Sequence, residues 1–369
     1  MTHPDAPSGT DGVGPRPTGL DHVRTDGVGP RSTQPDQVRT DGVGPRSTHL
    51  DQVRSKERAI DVVDFHLHLG IQDDPVIRSC EEAAGMHPGG EHERAVRAAG
   101  NAPYAAAWRR AWAFPDPEPP ADRLVEADRW ADELRAQGVR RAVFVTGGGN
   151  DALADAVDRH PDLFLGFAHH DPFAPDAAAE LERAVTVRGL RGLKLFAPLL
   201  RGPLDHPDLD PVWRTADRLR VPVLVHVGHY GSAGGLSSSP HDSPNHLARV
   251  ARRFPELPFV VPHFGVQHVQ ELLFACWSCP NIHVDTSGSN QWVRWMPYRL
   301  TLDDLFRRCY ETIGPGRIVF GSDSSWFPRG YVGRYLDDQL RICREMGMPE
   351  SDLQAIFAGN AVRLLGLPT

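Results

Sequence analysis

Residues 60–68, Ile60-Asp61-Val62-Val63-Asp64-Phe65-His66-Leu67-His68, form a short apolar run that ends in a His-x-His pair. Four later apolar runs also end on a residue that can bind a metal ion or move a proton. These residues are, in chain order, Lys194, His226, His263 and Asp323. A His-x-His pair, a lysine, two histidines and an aspartate are the groups that a hydrolytic metal site in a barrel requires.

Apolar runs of strand length alternate with amphipathic stretches from residue 59 onward. The predicted strands cover residues 60–66, 140–146, 163–169, 190–196, 221–227, 258–263, 281–285 and 317–321. A predicted helix follows each strand, for example over residues 122–138, and residues 359–367 would form a closing helix. Eight such units predict an α/β fold of the (β/α)₈ type, a TIM barrel. The alternative is a doubly wound open sheet, but no glycine-rich dinucleotide motif follows the first strand.

The N-terminal part differs in composition from the rest of the chain. Residues 11–55 are three copies of a 15-residue unit that contains Pro and Gly and almost no bulky apolar side chains. Such a segment buries too little surface to offset the entropy lost on ordering. We therefore predict a disordered tail over residues 1–57 and a single barrel domain over residues 58–369.

The composition also limits the classes of function. The formal net charge of −8 gives no support to nucleic-acid binding by bulk electrostatics. No run of about 18 apolar residues predicts a membrane span, and the polar N-terminus lacks an apolar signal segment. The five cysteines are too few and too scattered for a disulfide framework. We expect a cytoplasmic protein.

Side-chain alternation along the strands predicts a common direction for the candidate site residues. The residues turned into the barrel by this parity are Asp64, His66, His68, Lys194, His226, Val261, His263, Gly321 and Asp323. Phe65 and Leu67 would face the helices. The inward side chains would then meet at the C-terminal mouth, where barrel enzymes hold their active sites.

Imidazole and carboxylate groups in this arrangement suit a divalent metal ion. Zn²⁺ is the ion we expect, or another such as Mn²⁺, with one position open for water. The ion would lower the pKa of that water and polarise a substrate carbonyl. The alternative is a set of buried, hydrogen-bonded histidines without an ion.

The motifs carry a resemblance to a known family. The His66-Leu67-His68 pair, Gly192-Leu193-Lys194-Leu195, the strand that ends at His226, Pro262-His263-Phe264-Gly265 and Phe320-Gly321-Ser322-Asp323 resemble the amidohydrolase superfamily. They are similar to its amidohydrolase-related branch, which includes aminocarboxymuconate-semialdehyde decarboxylase. The resemblance spans about residues 59–367 and leaves the repeats uncovered.

The resemblance implies roles for the candidate residues. The branch implies one catalytic metal ion held by His66, His68, His226 and Asp323, with His263 as acid or base. The wider superfamily implies a two-metal alternative, in which a carbamylated Lys194 bridges the ions. We favour one ion, with Lys194 as a substrate ligand or electrostatic helper. Asp323 could also accept the proton of the metal-bound water as a general base.

Aromatic residues in the predicted loops suggest the kind of substrate. Trp292, Arg294 and Trp326 follow the last two strands and would bind a planar or aromatic organic acid, although such side chains also pack loops and dimer interfaces. Hydrolysis of an amide, lactone or ester-like bond of a small organic acid is the function we expect. The alternatives are non-oxidative decarboxylation of an aromatic or enoic acid, and a catalytically inactive barrel that serves as a binding module. The resemblance further implies a homodimer.

Overall fold

The computed structural model describes residues 60–71, 74–86, 88–231 and 239–368. These residues fall within one compact unit, Ser47–Thr369. The predicted disordered tail over residues 1–57, with its three repeats, lies outside the described residues and stays a prediction. Across the described ranges, no helix has both the length and the apolar character needed to cross a bilayer.

Eight parallel strands form a closed barrel. The strands are β1 (Val63–Leu67), β2 (Arg141–Phe144), β3 (Phe164–Gly166), β4 (Leu193–Phe196), β5 (Val223–His226), β6 (Phe259–Val261), β7 (Ile282–Asp285) and β8 (Ile318–Val319). They pair in the order β1-β2-β3 and β4-β5-β6-β7-β8. Parallel bridges from Ala168 to Leu193 and from Leu67 to Ser324 join the two sets at both seams. The predicted (β/α)₈ barrel is confirmed.

Helices follow the strands as the sequence predicts. They are α1 (Pro75–Ala83), α2 (Gly90–Ala111), α3 (Arg123–Ala136), α4 (Asn150–Arg159), α5 (Ala177–Thr186), α6 (Asp210–Leu219), α7 (Pro244–Arg253), α8 (Val269–Ser278), α9 (Leu302–Ile313), α10 (Gly333–Glu345), α11 (Glu350–Gln354) and α12 (Asn360–Leu364). A π-helical turn, Ala355–Gly359, joins α11 to α12. Helices α1 and α2 fall within the long insertion between β1 and α3.

Helix α3 illustrates how the sequence sets these elements. The side chain of Asp122 caps it by accepting hydrogen bonds from the backbone N–H groups of Leu124 and Val125. Gly138 follows its end with a φ of 70°, which a residue without a Cβ adopts at no cost. Its buried face includes Trp130, whereas Leu124, which the helical period places on that face, is 38% exposed. Leu124 therefore contributes less to the core than the helical period predicts.

The barrel interior is closed at one end by apolar side chains. Alternate positions of the strands contribute Val63, Phe65, Val143, Val145, Leu165, Phe167, Leu224, Val260 and Val319. Residues of the π-helical turn and α12, among them Ala358, Ala361 and Leu364, pack against this cluster. Opposite positions such as Leu195 and Val225 pack with the surrounding helices instead. The floor of the barrel is therefore solid, and the candidate site lies above it.

The predicted alternation of inward and outward side chains holds for β4 and β5 but is wrong at β1 and β6. The pairing of β1 with β2 shifts between Asp64 and Leu67, so Phe65 points into the barrel, where its ring lies 5.5 Å from that of Phe167. In β6, Val261 packs with the outer helices and not in the barrel interior. The chain then turns at His263, which has a φ of 56°. A bulge and a left-handed residue re-aim side chains that strict alternation would misplace.

Candidate active site

Two histidines at the end of β1 face one another at the mouth of the barrel. The Nε2 atoms of His66 and His68 lie 3.2 Å apart. The Nδ1 of His66 lies 2.7 Å from the Asp285 carboxylate, and that of His68 lies 2.8 Å from the Thr146 hydroxyl. Because a carboxylate oxygen accepts, His66 donates through Nδ1 and keeps an unprotonated Nε2. That nitrogen is free to bind a metal ion.

Asp323, after β8, completes a set of three ligand atoms. Its Oδ1 lies 3.3 Å from Nε2 of His68 and 3.9 Å from Nε2 of His66. Tetrahedral ligands at about 2.0–2.1 Å from one ion lie about 3.4 Å apart, which is close to these separations. Burial raises the pKa of Asp323, but the hydrogen bond to His68 and the field of His263 hold it below its usual range. The ionised carboxylate and the two nitrogens fit one divalent ion.

His263 lies beside this set, after β6. Its Nδ1 donates to the backbone carbonyl of Ser287 at 3.0 Å, so Nε2 carries the lone pair. Ligand atoms of His66, His263 and Asp323 all lie within 4.8 Å of one another. His263 and Asp323 have φ values of 56° and 57°, a left-handed conformation that is rare outside glycine. Both residues, which we expect to do chemistry, therefore hold a strained backbone.

His226 reaches the mouth from β5 in a different orientation. Its Nε2 donates to the backbone carbonyl of His229 at 2.9 Å, which leaves Nδ1 as the nitrogen with a lone pair. Its ring centre lies 5.1 Å from that of His263. The three residues whose ligand atoms lie within 4.8 Å of one another are His66, His263 and Asp323, and His226 does not belong to this set. The predicted ligand role of His226 stays a prediction that depends on Nδ1.

The electrostatics favour neutral imidazoles throughout the cluster. Burial lowers the pKa of His66, His68, His226 and His263 in the ion-free site. Only neutral imidazole has the lone pair that a metal ion binds. The four residues therefore supply donors of the kind that Zn²⁺ and Mn²⁺ accept.

Lys194 lies close to His66 and is not among the residues that line the cavity. It is completely buried, with Nζ 3.5 Å from Nε2 of His66 and 4.5 Å from the ring centre of Phe196. Burial lowers the pKa of Lys194 to about 7. The residue is not among the side chains that line the open cavity. The two roles predicted for Lys194, substrate ligand or electrostatic helper, stay predictions.

A cavity of about 410 Å³ opens onto the cluster. His68, His226, His263 and Asp323 form its deep end, and the rest of the wall combines aromatic side chains with polar ones such as Ser289, Asn290 and Gln291. The aromatic lining residues are Trp108, Phe196, Tyr230, Trp292, Trp295, Trp326 and Tyr335. Trp108 belongs to α2, so the insertion after β1 forms part of the mouth.

The structure places the three predicted rim residues differently from one another. Trp292 and Trp326 line the cavity. Arg294 is exposed and does not line it, and its guanidinium lies 5.9 Å from the ring centre of Trp295. Another cation, Arg329, lines the wall. The sequence analysis named Arg294 and missed Arg329, because loop conformation decides which arginine reaches the site.

Two further residues of the site were missed by the sequence analysis. Asp285 ends β7, and the rule applied to the other strand ends also selects it. Ser287 donates to Asp285 through its backbone N–H at 2.8 Å and through its hydroxyl at 2.9 Å. Burial raises the pKa of Asp285, so its role as an acceptor depends on these donors and on positive charge at the site.

A closed barrel with histidines and a carboxylate at its mouth is the architecture of a metal-dependent barrel enzyme. The chain belongs to the amidohydrolase family, whose model matches residues 63–367. The family suggested by the sequence motifs is thereby confirmed.

Comparisons with known proteins give decarboxylases as relatives. The chain is similar to gamma-resorcylate decarboxylase of Rhizobium sp. (strain MTP-10005), with 24% identity over 267 residues that cover 62% of this chain and 78% of that protein. The structure is similar to that of 5-carboxyvanillate decarboxylase from Sphingomonas paucimobilis, with a TM-score of 0.56, 17% identity and coverage of 84% of this chain and 100% of that one.

A second 5-carboxyvanillate decarboxylase, from Novosphingobium aromaticivorans DSM 12444, was solved with bound manganese and a nitrobenzoic acid. It has a TM-score of 0.54 and 18% identity, and the match covers 85% of this chain and 99% of that one. At these identities the two solved structures support the fold alone.

Proposed function

We propose that this protein is a metal-dependent, non-oxidative decarboxylase of an aromatic or enoic acid. The proposal rests on one structural observation, an aromatic-walled cavity that ends at a metal-binding cluster with a proton carrier beside it. The similarity to gamma-resorcylate decarboxylase favours this function over the hydrolysis expected from the sequence. The predicted homodimer and cytoplasmic location remain proposals.

The shape and chemistry of the cavity fit a flat substrate. Trp292 and Trp326 present ring faces and edges that pack against a planar molecule by offset or edge-on stacking. A ring held between such walls has its carboxylate directed at the deep end, beside His263 and Asp323.

A divalent ion would be held by His66, His68 and Asp323, with His263 or Nδ1 of His226 nearby. When bound, it supplies positive charge that holds an anionic oxygen of the substrate. Zn²⁺ and Mn²⁺ both accept these nitrogen and oxygen donors. Asp323 contributes the negative charge that keeps the loaded site from becoming strongly cationic.

The chemistry then requires one proton delivered to carbon. The bond between the ring carbon and the carboxylate breaks, the electron pair stays on that carbon, and CO₂ leaves. His263 would deliver the proton through Nε2, a role supported by the hydrogen bond that holds its Nδ1–H on the carbonyl of Ser287. An anionic substrate beside His263 raises its pKa and favours the protonated form needed for the step.

Lys194 assists without touching the substrate. Its Nζ stands 3.5 Å from Nε2 of His66, and its side chain is not among those that line the cavity. When protonated it adds positive charge to the site, and when neutral it leaves the histidines free to bind the ion. Either form supports the binding of an anionic substrate or an ion from a fixed position.

The test is product analysis on the metal-loaded protein with a panel of hydroxybenzoic acids, enoic acids, lactones and amides. We expect CO₂ in a one-to-one ratio with product, one deuterium on carbon in D₂O, and no ¹⁸O from labelled water in the organic product. The variant His263→Asn should lose turnover but keep the metal. Incorporation of ¹⁸O without CO₂ would establish the hydrolase instead, and bound metal with no turnover of any substrate would favour the binding module.

A further inference from the structure

The cation Arg329 occupies an unusual position in the cavity wall. Its guanidinium lies 4.9 Å from the ring centre of Trp326 and 5.3 Å from that of Phe114. It also lines the cavity that ends at the metal-binding cluster. Contact with two aromatic rings fixes the orientation of the guanidinium and screens it from bulk water.

The hydrogen bonds of Arg329 leave part of its donor capacity unused. One terminal nitrogen, Nη2, donates to the backbone carbonyl of Asp323 at 3.1 Å and to the hydroxyl of Ser325 at 2.9 Å. The Nε atom is buried and has no hydrogen-bond partner. These two contacts hold the group in place and do not neutralise it.

No carboxylate in the described part of the chain forms an ion pair with Arg329. By contrast, the neighbouring lining residue Arg109 is paired with Asp116 at 2.9 Å. The charge of Asp323 acts on Arg329 from a distance, and it is shared with a divalent ion once one binds. A poorly solvated, unpaired guanidinium is costly, so its place in a binding cavity points to an anionic ligand.

The chemistry decides which anion this is. If Arg329 paired with the carboxylate that leaves, it would stabilise the ground state, because that group becomes neutral CO₂. Pairing with a group that keeps its charge throughout the reaction carries no such penalty. We propose that Arg329 binds a second carboxylate of the substrate, one that is retained in the product, so that the substrate is an aromatic or enoic diacid. This inference rests on the proposed function and narrows its substrate class.

Binding of near-isosteric ligand pairs tests the proposal without turnover. Each of phthalate, isophthalate and terephthalate is compared with its monoamide on the metal-loaded protein, with tryptophan fluorescence and calorimetry as readouts. For at least one ring geometry the diacid should bind roughly tenfold or more tightly than the monoamide, since a charge-assisted arginine–carboxylate pair exceeds a neutral hydrogen bond. Arg329→Gln should remove this preference, and Arg329→Lys should keep part of it.

Arg294→Gln is the matched control, because Arg294 is exposed and does not line the cavity. It should keep the full preference. Equal binding of diacid and monoamide by the wild-type protein at all three ring geometries would overturn the proposal even if Arg329→Gln failed to fold. A preference that Arg329→Gln retains would overturn it as well.

The outcomes separate this inference from the proposed function. A diacid preference that depends on Arg329, without CO₂ from any acid, would overturn decarboxylation and leave the binding role of Arg329 in place. CO₂ from a monoacid, with no diacid preference, would support decarboxylation and exclude the diacid.

Discussion

The Nδ1 of His66 donates a hydrogen bond to Oδ2 of Asp285 over 2.7 Å, and neither side chain is exposed to solvent. Asp285 is held in turn by the backbone N–H and hydroxyl of Ser287. The same hydroxyl lies 3.0 Å from Nδ1 of His263. One aspartate and one serine thus orient two imidazoles from different strands, β1 and the end of β6. Carboxylate support of this kind fixes the tautomer and raises the basicity of a metal ligand.

Replacement of this supporting aspartate should weaken metal binding. In Asp285→Asn the amide can still contact His66 but lacks the negative charge, so we expect affinity for the ion to fall roughly 10- to 100-fold. Competition with a chelator of known affinity measures the change. Asp162→Asn, which alters an exposed ion pair with Arg135, is the control. Unchanged affinity in Asp285→Asn would mean that this carboxylate does not tune the site.

The number of bound ions should not depend on Lys194. Because Lys194 is placed as an electrostatic helper, both the wild-type protein and Lys194→Met should bind one ion per chain, and a chelator should abolish activity in the wild type. Elemental analysis gives the ratio, and intact mass detects a carbamate as about 44 Da. His66→Ala should bind no ion. Two ions in the wild type and fewer in Lys194→Met would instead support the carbamate-bridged site.

The close packing behind the ligands makes Gly321 sensitive to substitution. A Cβ at this position would lie 2.7 Å from Oδ1 of Asp285 and 2.8 Å from Cβ of His66. Gly321→Ala should therefore cost about 1–3 kcal/mol of stability through overpacking, and it should reduce ion affinity as well. Gly316→Ala meets no heavy atom within 4 Å and should change neither quantity. Urea unfolding and chelator competition are the measurements, and equal effects of the two substitutions would contradict the prediction.

An ion pair near the site should make stability depend on pH. Nε2 of His268 lies 3.3 Å from Oδ1 of Asp242, and this hydrogen bond raises the pKa of His268. A raised folded-state pKa means that the stabilisation is complete below the unfolded-state value near 6.5 and is lost as pH rises through the folded-state value. His268→Gln should cost roughly 0.2–1 kcal/mol at pH 5.5 and almost nothing at pH 9.

Urea unfolding of the wild-type protein and His268→Gln at both pH values checks this. His241→Gln is a suitable control, because burial lowers the pKa of His241 and its contribution has the opposite sign. A cost for His268→Gln that is equal at pH 5.5 and pH 9 would show that the charged imidazole contributes nothing.

The barrel itself could be predicted from the sequence, because its information is local and repeated. The predicted strands and helices agree with the observed ones to within three residues at each end. Hydrophobic runs of strand length and capped amphipathic helices produce this agreement. The prediction of which side chains of a strand face the barrel interior was less reliable. The register shift after Asp64 and the left-handed conformation of His263 depend on neighbouring strands, which no local pattern encodes.

The site could be predicted only in its outline. His66, His68, His263 and Asp323 follow from the strand ends, and they do come together. The residues that hydrogen-bond to these side chains could not be predicted in the same way. Nothing in the sequence distinguishes Thr146 and Ser287 from other polar residues before the barrel forms. The cavity is lined by Arg329 and not by the predicted Arg294 for a similar reason, since tertiary packing arranges the loops after β7 and β8.

The apolar plug of α12 beneath the strands has a kinetic consequence. Since Leu364 and its neighbours fill the opposite end of the barrel, the substrate, the CO₂ and the organic product of the proposed decarboxylation would all pass through the opening at the C-terminal mouth. The organic product then occupies the route by which the next substrate arrives. Turnover should accordingly slow at high product concentration, because product and substrate compete for the entrance. Substitutions that open a second route through the apolar plug would relieve this inhibition but would destabilise the fold.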